Sequence, residues 1–123
     1  MAGQNKRQTG SAYERLAADY LNGKGCRILK MNYRNRFGEI DLIGKDGEDL
    51  VFFEVKERKT ESAGCAAEAV TFSKQKKICA VSDLYRFKEN VSLDTQIRYD
   101  VIAIDGNKID WIKNAFEYIG NGS

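Results

Sequence analysis

The sequence predicts an α/β chain of the α+β mixed-sheet kind, with helices packed on one central mixed β-sheet. Three observations predict it. Apolar residues recur at helical spacing after Ser11 and again after Thr71. Five short stretches between and beyond them read as strands, with Gly and Asp-Gly punctuation. The resulting order, α-β-β-β-α-β-β, joins a hairpin to a helical crossover, so one sheet must hold antiparallel and parallel neighbours.

The elements follow in order. Residues 1–10 are polar and read as a flexible N-terminus, which leaves residues 11–123 as a single domain. Ser11-Ala12-Tyr13-Glu14 matches a capping box and starts the first helix. Tyr13, Leu16, Ala17, Tyr20 and Leu21 form its apolar stripe, and Gly23 and Gly25 stop it. Residues 26–33 read as a strand, residues 34–38 as a basic connection, and residues 39–44 as a second strand. Asp46-Gly47 turns the chain into a third strand over 50–56, making an antiparallel hairpin. Residues 57–69 read as a loop with Gly64 near its centre, long enough to suggest function or mobility. Thr71 is the expected N-cap of the second helix, whose stripe is Ile78, Val81 and Tyr85. Residues 96–104 are a fourth strand, and Asp105-Gly106-Asn107 leads to a fifth around 109–112. A short amphipathic tail with Ala115, Phe116 and Ile119 ends the chain.

The chain of 123 residues contains no histidine and no proline. Without histidine there is no Ser-His-Asp or Cys-His machinery and no His-based zinc site. Acid–base chemistry must come from Asp, Glu, Lys, Tyr, Cys or water on a metal. Cys26, Cys65 and Cys79 make no CxxC pair, which is expected of small, partly buried, reduced thiols in a cytoplasmic protein. No apolar run approaches a membrane span, and the first residues lack the apolar stretch of a secretory signal. Charge is unevenly placed. Residues 1–36 carry a net +6, residues 37–57 a net −5 and residues 58–88 a net +4. That pattern suits a cation-attracting patch within a phosphate-attracting surface.

The chemistry gathers on the predicted hairpin. Strand side chains alternate faces. If Ile40 and Leu42 pack with Val51, Phe53 and Val55, then Asp41, Glu54 and Lys56 share the opposite face. Neighbouring carboxylates repel and raise one another's pKa, a conflict that a hard divalent cation relieves. On spacing alone, a solvated face with cross-strand lysine–carboxylate pairs is the simpler reading.

The constellation is more specific than its spacing. Gly38-Glu39-Ile40-Asp41, Phe53-Glu54-Val55-Lys56-Glu57-Arg58, Asn32-Tyr33-Arg34, the Gly10/Glu14 helix start, Lys74 and Arg98-Tyr99-Asp100-Val101-Ile102 together resemble the PD-(D/E)xK nuclease superfamily. More narrowly, the chain resembles the YraN-type family of small bacterial proteins, whose fold is similar to that of archaeal Holliday-junction resolvases. The resemblance spans about Gly10 to Phe116. It implies a restriction-endonuclease-like αβββαβ core and a Mg²⁺- or Mn²⁺-dependent endonuclease. Its substrate would be structured or single-stranded DNA, with a role in repair or recombination. Asp41 and Glu54 would be metal ligands, Lys56 the catalytic lysine, and Glu14 a helix-borne acid reaching the same site. The nominal Pro-Asp of the superfamily is Ile40-Asp41 here.

Other residues are candidates of lower specificity. Glu14 is also the N3 acid of its capping box. Lys74 lies on the stripe of Ile78, Val81 and Tyr85, so it either snorkels or reaches a polar site. Gln75 is the adjacent candidate, because related nucleases carry a helical Gln or Lys there. Arg34, Arg36 and Arg58 flank the metal face and suit nucleic-acid contacts, with Tyr33 and Phe37 interleaved. Arg98 and Asp100 are expected to form a structural ion pair near the site, and Trp111 to serve core or interface. A two-fold DNA junction would favour a homodimer. The alternatives are a non-catalytic nucleic-acid-binding module and a protein-interaction module retaining the same fold.

Overall fold

The computed structural model describes residues 2–57 and 70–120. Its elements are α1 (Ala2–Gly23), β1 (Arg27–Asn35), β2 (Gly38–Asp46), β3 (Asp49–Glu57), α2 (Phe72–Lys88), β4 (Ile97–Asp105) and β5 (Lys108–Ile112). The strands form one sheet in the order β1-β2-β3-β4-β5. Only β3 and β4 are parallel, joined through α2; every other neighbouring pair is antiparallel. The mixed sheet with two helices is the predicted class.

Both faces of the central strands β2, β3 and β4 are buried. Leu42, Val51, Phe53, Ile102 and Ile104 pack with Ala17, Ala18 and Leu21 of α1. Ile43, Phe52, Tyr99, Val101 and Ala103 pack with Ile78, Cys79, Val81 and Tyr85 of α2. The hairpin was expected to have one apolar face. Its inner strand is instead apolar on both, because the central strands of a covered sheet meet a helix on each side. Burying Phe52 and Phe53 contributes about 1.5–3 kcal/mol apiece. Phe116 is buried against Tyr99, ring centroids 5.2 Å apart, with the Ala115 N–H donating to the Tyr99 carbonyl at 2.7 Å. The tail closes the α2 side without forming a helix.

Three local expectations change. The helix α1 begins at Ala2, so Ser11 lies inside it and is not its N-cap. Alanine, glutamine, lysine and arginine upstream are good helix formers, and no proline interrupts them. Leu16 is 43% exposed while Ala18 is buried. The inward stripe is therefore Ala17, Ala18 and Leu21, rotated toward Glu14, which precedes them by three, four and seven residues. Finally, β1 runs on to Asn35, and the basic connection shrinks to a turn. The Thr71 cap is as expected: its Oγ1 accepts the Lys74 N–H at 3.1 Å.

Of the described glycines, Gly44 leaves the least room for a side chain. A Cβ there would lie 2.9 Å from the Arg27 carbonyl oxygen and 3.5 Å from the Phe53 ring. Gly44→Ala is expected to destabilise the fold by about 1–3 kcal/mol, because main chain must move. Urea unfolding checks it, and a neutral result would show that β1 shifts freely there.

Candidate active site

The site lies where the sheet departs from regularity. Antiparallel pairing of β2 with β3 runs from Asp46↔Asp49 to Leu42↔Phe53 and stops before Asp41 and Glu54. There a side chain takes over from the backbone. Asp41 Oδ2 accepts the Val55 N–H at 2.8 Å. On the other side of β2, Met31↔Leu42 and Tyr33↔Ile40 are paired, but Asn32 and Asp41 between them are not. Asn32 has a left-handed backbone, φ 54°.

This irregularity corrects the face assignment. Leu42 packs on the α1 side with Val51, Phe53 and Val55, as expected. Ile40, two residues away, packs on the α2 side, with Tyr33 against the same core. Alternation therefore fails across Asp41. The carboxyl nevertheless stays beside Glu54, which is what the site argument requires. Burial pushes the Asp41 pKa up to about 8, the negative charge of Glu54 adds to the rise, and the Val55 N–H opposes it.

Glu54 is only 5% exposed and holds two cations. Lys74 Nζ lies 2.9 Å from its Oε2, and Lys56 Nζ lies 3.9 Å from the same atom. Lys74 reaches it from the first turn of α2, as its place on the apolar stripe suggested. Burial lowers the Lys74 pKa, but the pair with Glu54 and the field of Asp41 and Glu39 outweigh this and raise it. Glu14 arrives from α1, half-buried. Burial raises its pKa, polar contacts with Asp41 and Asn32 pull it back, and Glu39 and Glu54 raise it further. Its Oε1 is buried without a hydrogen-bond partner.

These donors fit a hard divalent cation. Asp41 and Glu54 supply two carboxylates, the number Mg²⁺ commonly takes while keeping several waters. A raised carboxyl and an orphaned buried oxygen are both relieved by added positive charge. Glu14 borders the pair without completing a cage. Among the described residues, no group of three or more His, Cys, Asp or Glu side chains is arranged to hold a metal ion.

The remaining candidates divide. Arg34 Nε pairs with Glu39 at 3.2 Å on the surface, beside an open recess of about 280 Å³. The Arg36 guanidinium lies 4.9 Å from the centroid of the Phe37 ring, which is 41% exposed. Asn35 fixes this turn, its Oδ1 accepting the Phe37 N–H and its Nδ2 donating to the Val81 carbonyl. Gln75 is engaged elsewhere: its Nε2 donates to the Val70 carbonyl at 2.9 Å, tying down the entry to α2. Arg58, Cys65 and all but Glu57 of the long connection lie outside the described residues. Arg98 and Asp100 do pair, at 2.6 Å, but on the α1 side of the sheet, opposite Glu54. The reason is register: Asp100 pairs with Phe53 and takes its face. Trp111 is half-buried and donates its Nε1–H to Asp100 at 2.9 Å. Cys26 and Cys79 are buried free thiols.

Sequence reasoning did not single out Asn32 as a site residue. One signal was available: an asparagine, the non-glycine type that best tolerates positive φ, within a strand pattern. Among the described residues, no helix is long and apolar enough to cross a membrane.

Comparison with known proteins agrees with the resemblance to the YraN-type family. Residues 13–104 match a family described as "Uncharacterised protein family UPF0102". A UPF0102 protein of Enterobacter sp. (strain 638) is 46% identical over 113 residues, 91% of this chain and 86% of that protein. One from Klebsiella pneumoniae subsp. pneumoniae is 44% identical over 116 residues, 94% and 91% of the two chains. The UPF0102 protein YraN of Escherichia coli O1:K1 / APEC is 45% identical over 111 residues, covering 89% and 85%.

Proposed function

The chain belongs to the UPF0102 family, and from the site it carries we propose that it is a Mg²⁺- or Mn²⁺-dependent nuclease that hydrolyses phosphodiester bonds of structured or single-stranded DNA. The observation that carries this reading is the convergence of Asp41, Glu54, Lys56, Lys74 and Glu14 from four elements at the break in the β2–β3 ladder. Asp41 and Glu54 would hold the cation, which when bound supplies Lewis acidity to the phosphodiester.

The chain's own groups account for the rest. The Val55 N–H fixes Asp41, and Lys74 fixes Glu54. Lys56, a third exposed, is free to turn its ammonium toward incoming phosphate and stabilise charge building on the non-bridging oxygens. Arg34 and Arg36 lie at the β1–β2 turn, where phosphate contacts would position the strand without reading sequence. Phe37 offers an exposed ring on which an unpaired base can stack. A junction substrate with two-fold symmetry would call for a homodimer, since two cuts need two sites.

A second reading, a non-catalytic nucleic-acid-binding module, is favoured by one observation. Lys74 neutralises Glu54, with Nζ 2.9 Å from Oε2. The deciding experiment is a cleavage panel of linear, single-stranded, flapped and four-way DNA with Mg²⁺, Mn²⁺ or EDTA. Cleavage is expected with either metal and not with EDTA. Lys56→Ala should cost roughly two or more orders of magnitude in turnover while retaining metal. Salt-dependent DNA binding with no cleavage under any condition would establish the second reading.

A further inference from the structure

We propose that Lys74 competes with the divalent cation for Glu54: its ammonium holds a carboxylate oxygen that the metal needs, and phosphate of the incoming strand draws it away, so that metal and DNA bind cooperatively. This rests on the metal reading above. The two lysines at Glu54 are not equivalent. Lys74 Nζ lies 2.9 Å from Oε2, a charge-assisted hydrogen bond, whereas Lys56 Nζ lies 3.9 Å from it, beyond hydrogen-bond reach. Lys74 therefore occupies the oxygen, and Lys56 acts on it only through its field. Asp41 Oδ2 is held differently, by the neutral Val55 N–H. The competition thus falls on Glu54.

Glu54 is only 5% exposed, so little water screens the charges around it. Mg²⁺ sits about 2.0–2.1 Å from a carboxylate oxygen, and an ammonium bonded to that same oxygen stands close enough for the two cations to repel strongly. Lys74 is also able to leave. Its backbone is anchored in the first turn of α2, the N–H donating to Thr71 Oγ1 at 3.1 Å. Its side chain is 45% exposed and carries its charge on a flexible stem. The ammonium can swing outward while the helix stays in place. A phosphodiester at the site offers it a new anion, and whatever releases Glu54 favours the metal. Linkage makes the effect reciprocal: metal tightens DNA binding by the same factor as DNA tightens metal binding.

Mn²⁺ titration, followed by electron paramagnetic resonance of the free ion, tests the competition directly. Lys74→Met should bind Mn²⁺ about ten-fold more tightly than the parent, and Lys74→Gln likewise. Lys56→Met should gain less, about two-fold, because that ammonium stands further off. Lys74→Arg keeps the charge and should not gain. The coupling is read in Lys56→Ala protein, whose slow turnover leaves the strand intact. There a single-stranded oligodeoxynucleotide should tighten Mn²⁺ binding about ten-fold, and only about two-fold once Lys74→Met is added. Lys74→Met and Lys74→Gln proteins that bind Mn²⁺ no more tightly than the parent overturn the proposal and leave the metal reading standing. Equal tightening by DNA with and without Lys74 does the same. If neither the parent nor Lys74→Met binds Mn²⁺, the metal reading itself falls and the competition falls with it.

Discussion

Asp41→Asn is expected to abolish metal-dependent cleavage while making the metal-free protein more stable at alkaline pH. The substitution keeps shape, and its side-chain oxygen can still accept the Val55 N–H that Asp41 Oδ2 accepts at 2.8 Å. What it removes is charge. In the folded protein Asp41 is raised from its ordinary 3.8 to about 8, first by burial and then by Glu54. The folded state thus holds this proton more tightly than the unfolded chain. The stabilisation this provides is complete below pH about 3.8 and is lost as pH rises through about 8. Above that, the native protein carries a buried anion beside a second carboxylate. Asparagine removes the slope, so the variant should exceed the parent by on the order of a few kcal/mol at alkaline pH in EDTA. Divalent metal should reverse the order by stabilising the parent alone. Loss of a ligand carboxylate should lower turnover by roughly three or more orders of magnitude. Denaturation curves across pH, with and without Mg²⁺, beside a cleavage assay, check each part. A variant that cleaves fully, or one less stable than the parent at high pH in EDTA, would end the account of this site.

The second large effect belongs to the opposite face. Arg98 contacts Asp46 and Asp49 at 3.0 Å each and Asp100 at 2.6 Å. Asp100 is fully buried and also accepts from the Trp111 Nε1–H and the Asn114 N–H. The hydrogen bond with Asp100 is the main reason the Arg98 pKa is raised. Arg98→Met leaves a buried carboxylate short of its cation and sets Asp46 and Asp49 against each other. The expected cost is about 3–5 kcal/mol, a large share of the stability of a domain this size. The melting temperature should fall by roughly 10–20 °C. Replacing both partners, Arg98→Met with Asp100→Leu, should recover much of the loss, because no charge is left buried. Mn²⁺ affinity should be little changed, since the sheet separates this network from Glu54. A comparable loss of metal binding in a still-folded Arg98→Met protein would show that the two faces are coupled.

Most of the architecture was determined by local chemistry. Thr71 caps α2 because its hydroxyl can accept the Lys74 N–H, and turns follow Asp46-Gly47 and Asp105-Gly106 because glycine accepts φ near +60° there. The apolar runs of β3 and β4 made them strands, and charge alternation placed Glu54 and Lys56 on one face. Lys74 was legible because a lysine on an apolar stripe must lead somewhere polar. Three things were decided only in three dimensions. The α1 stripe turned toward Glu14 because packing against the sheet, not the hydropathy of Leu16, selected the buried face. The Arg98–Asp100 pair went to the α1 side because a parallel register with β3, invisible in either strand alone, sets its face. And the break at Asn32 and Asp41 had no counterpart in a rule of alternation. A strand's period holds only while every residue keeps extended backbone; Asn32 of β1 does not, and opposite it β2 changes face between Ile40 and Leu42, at the half-buried Asp41.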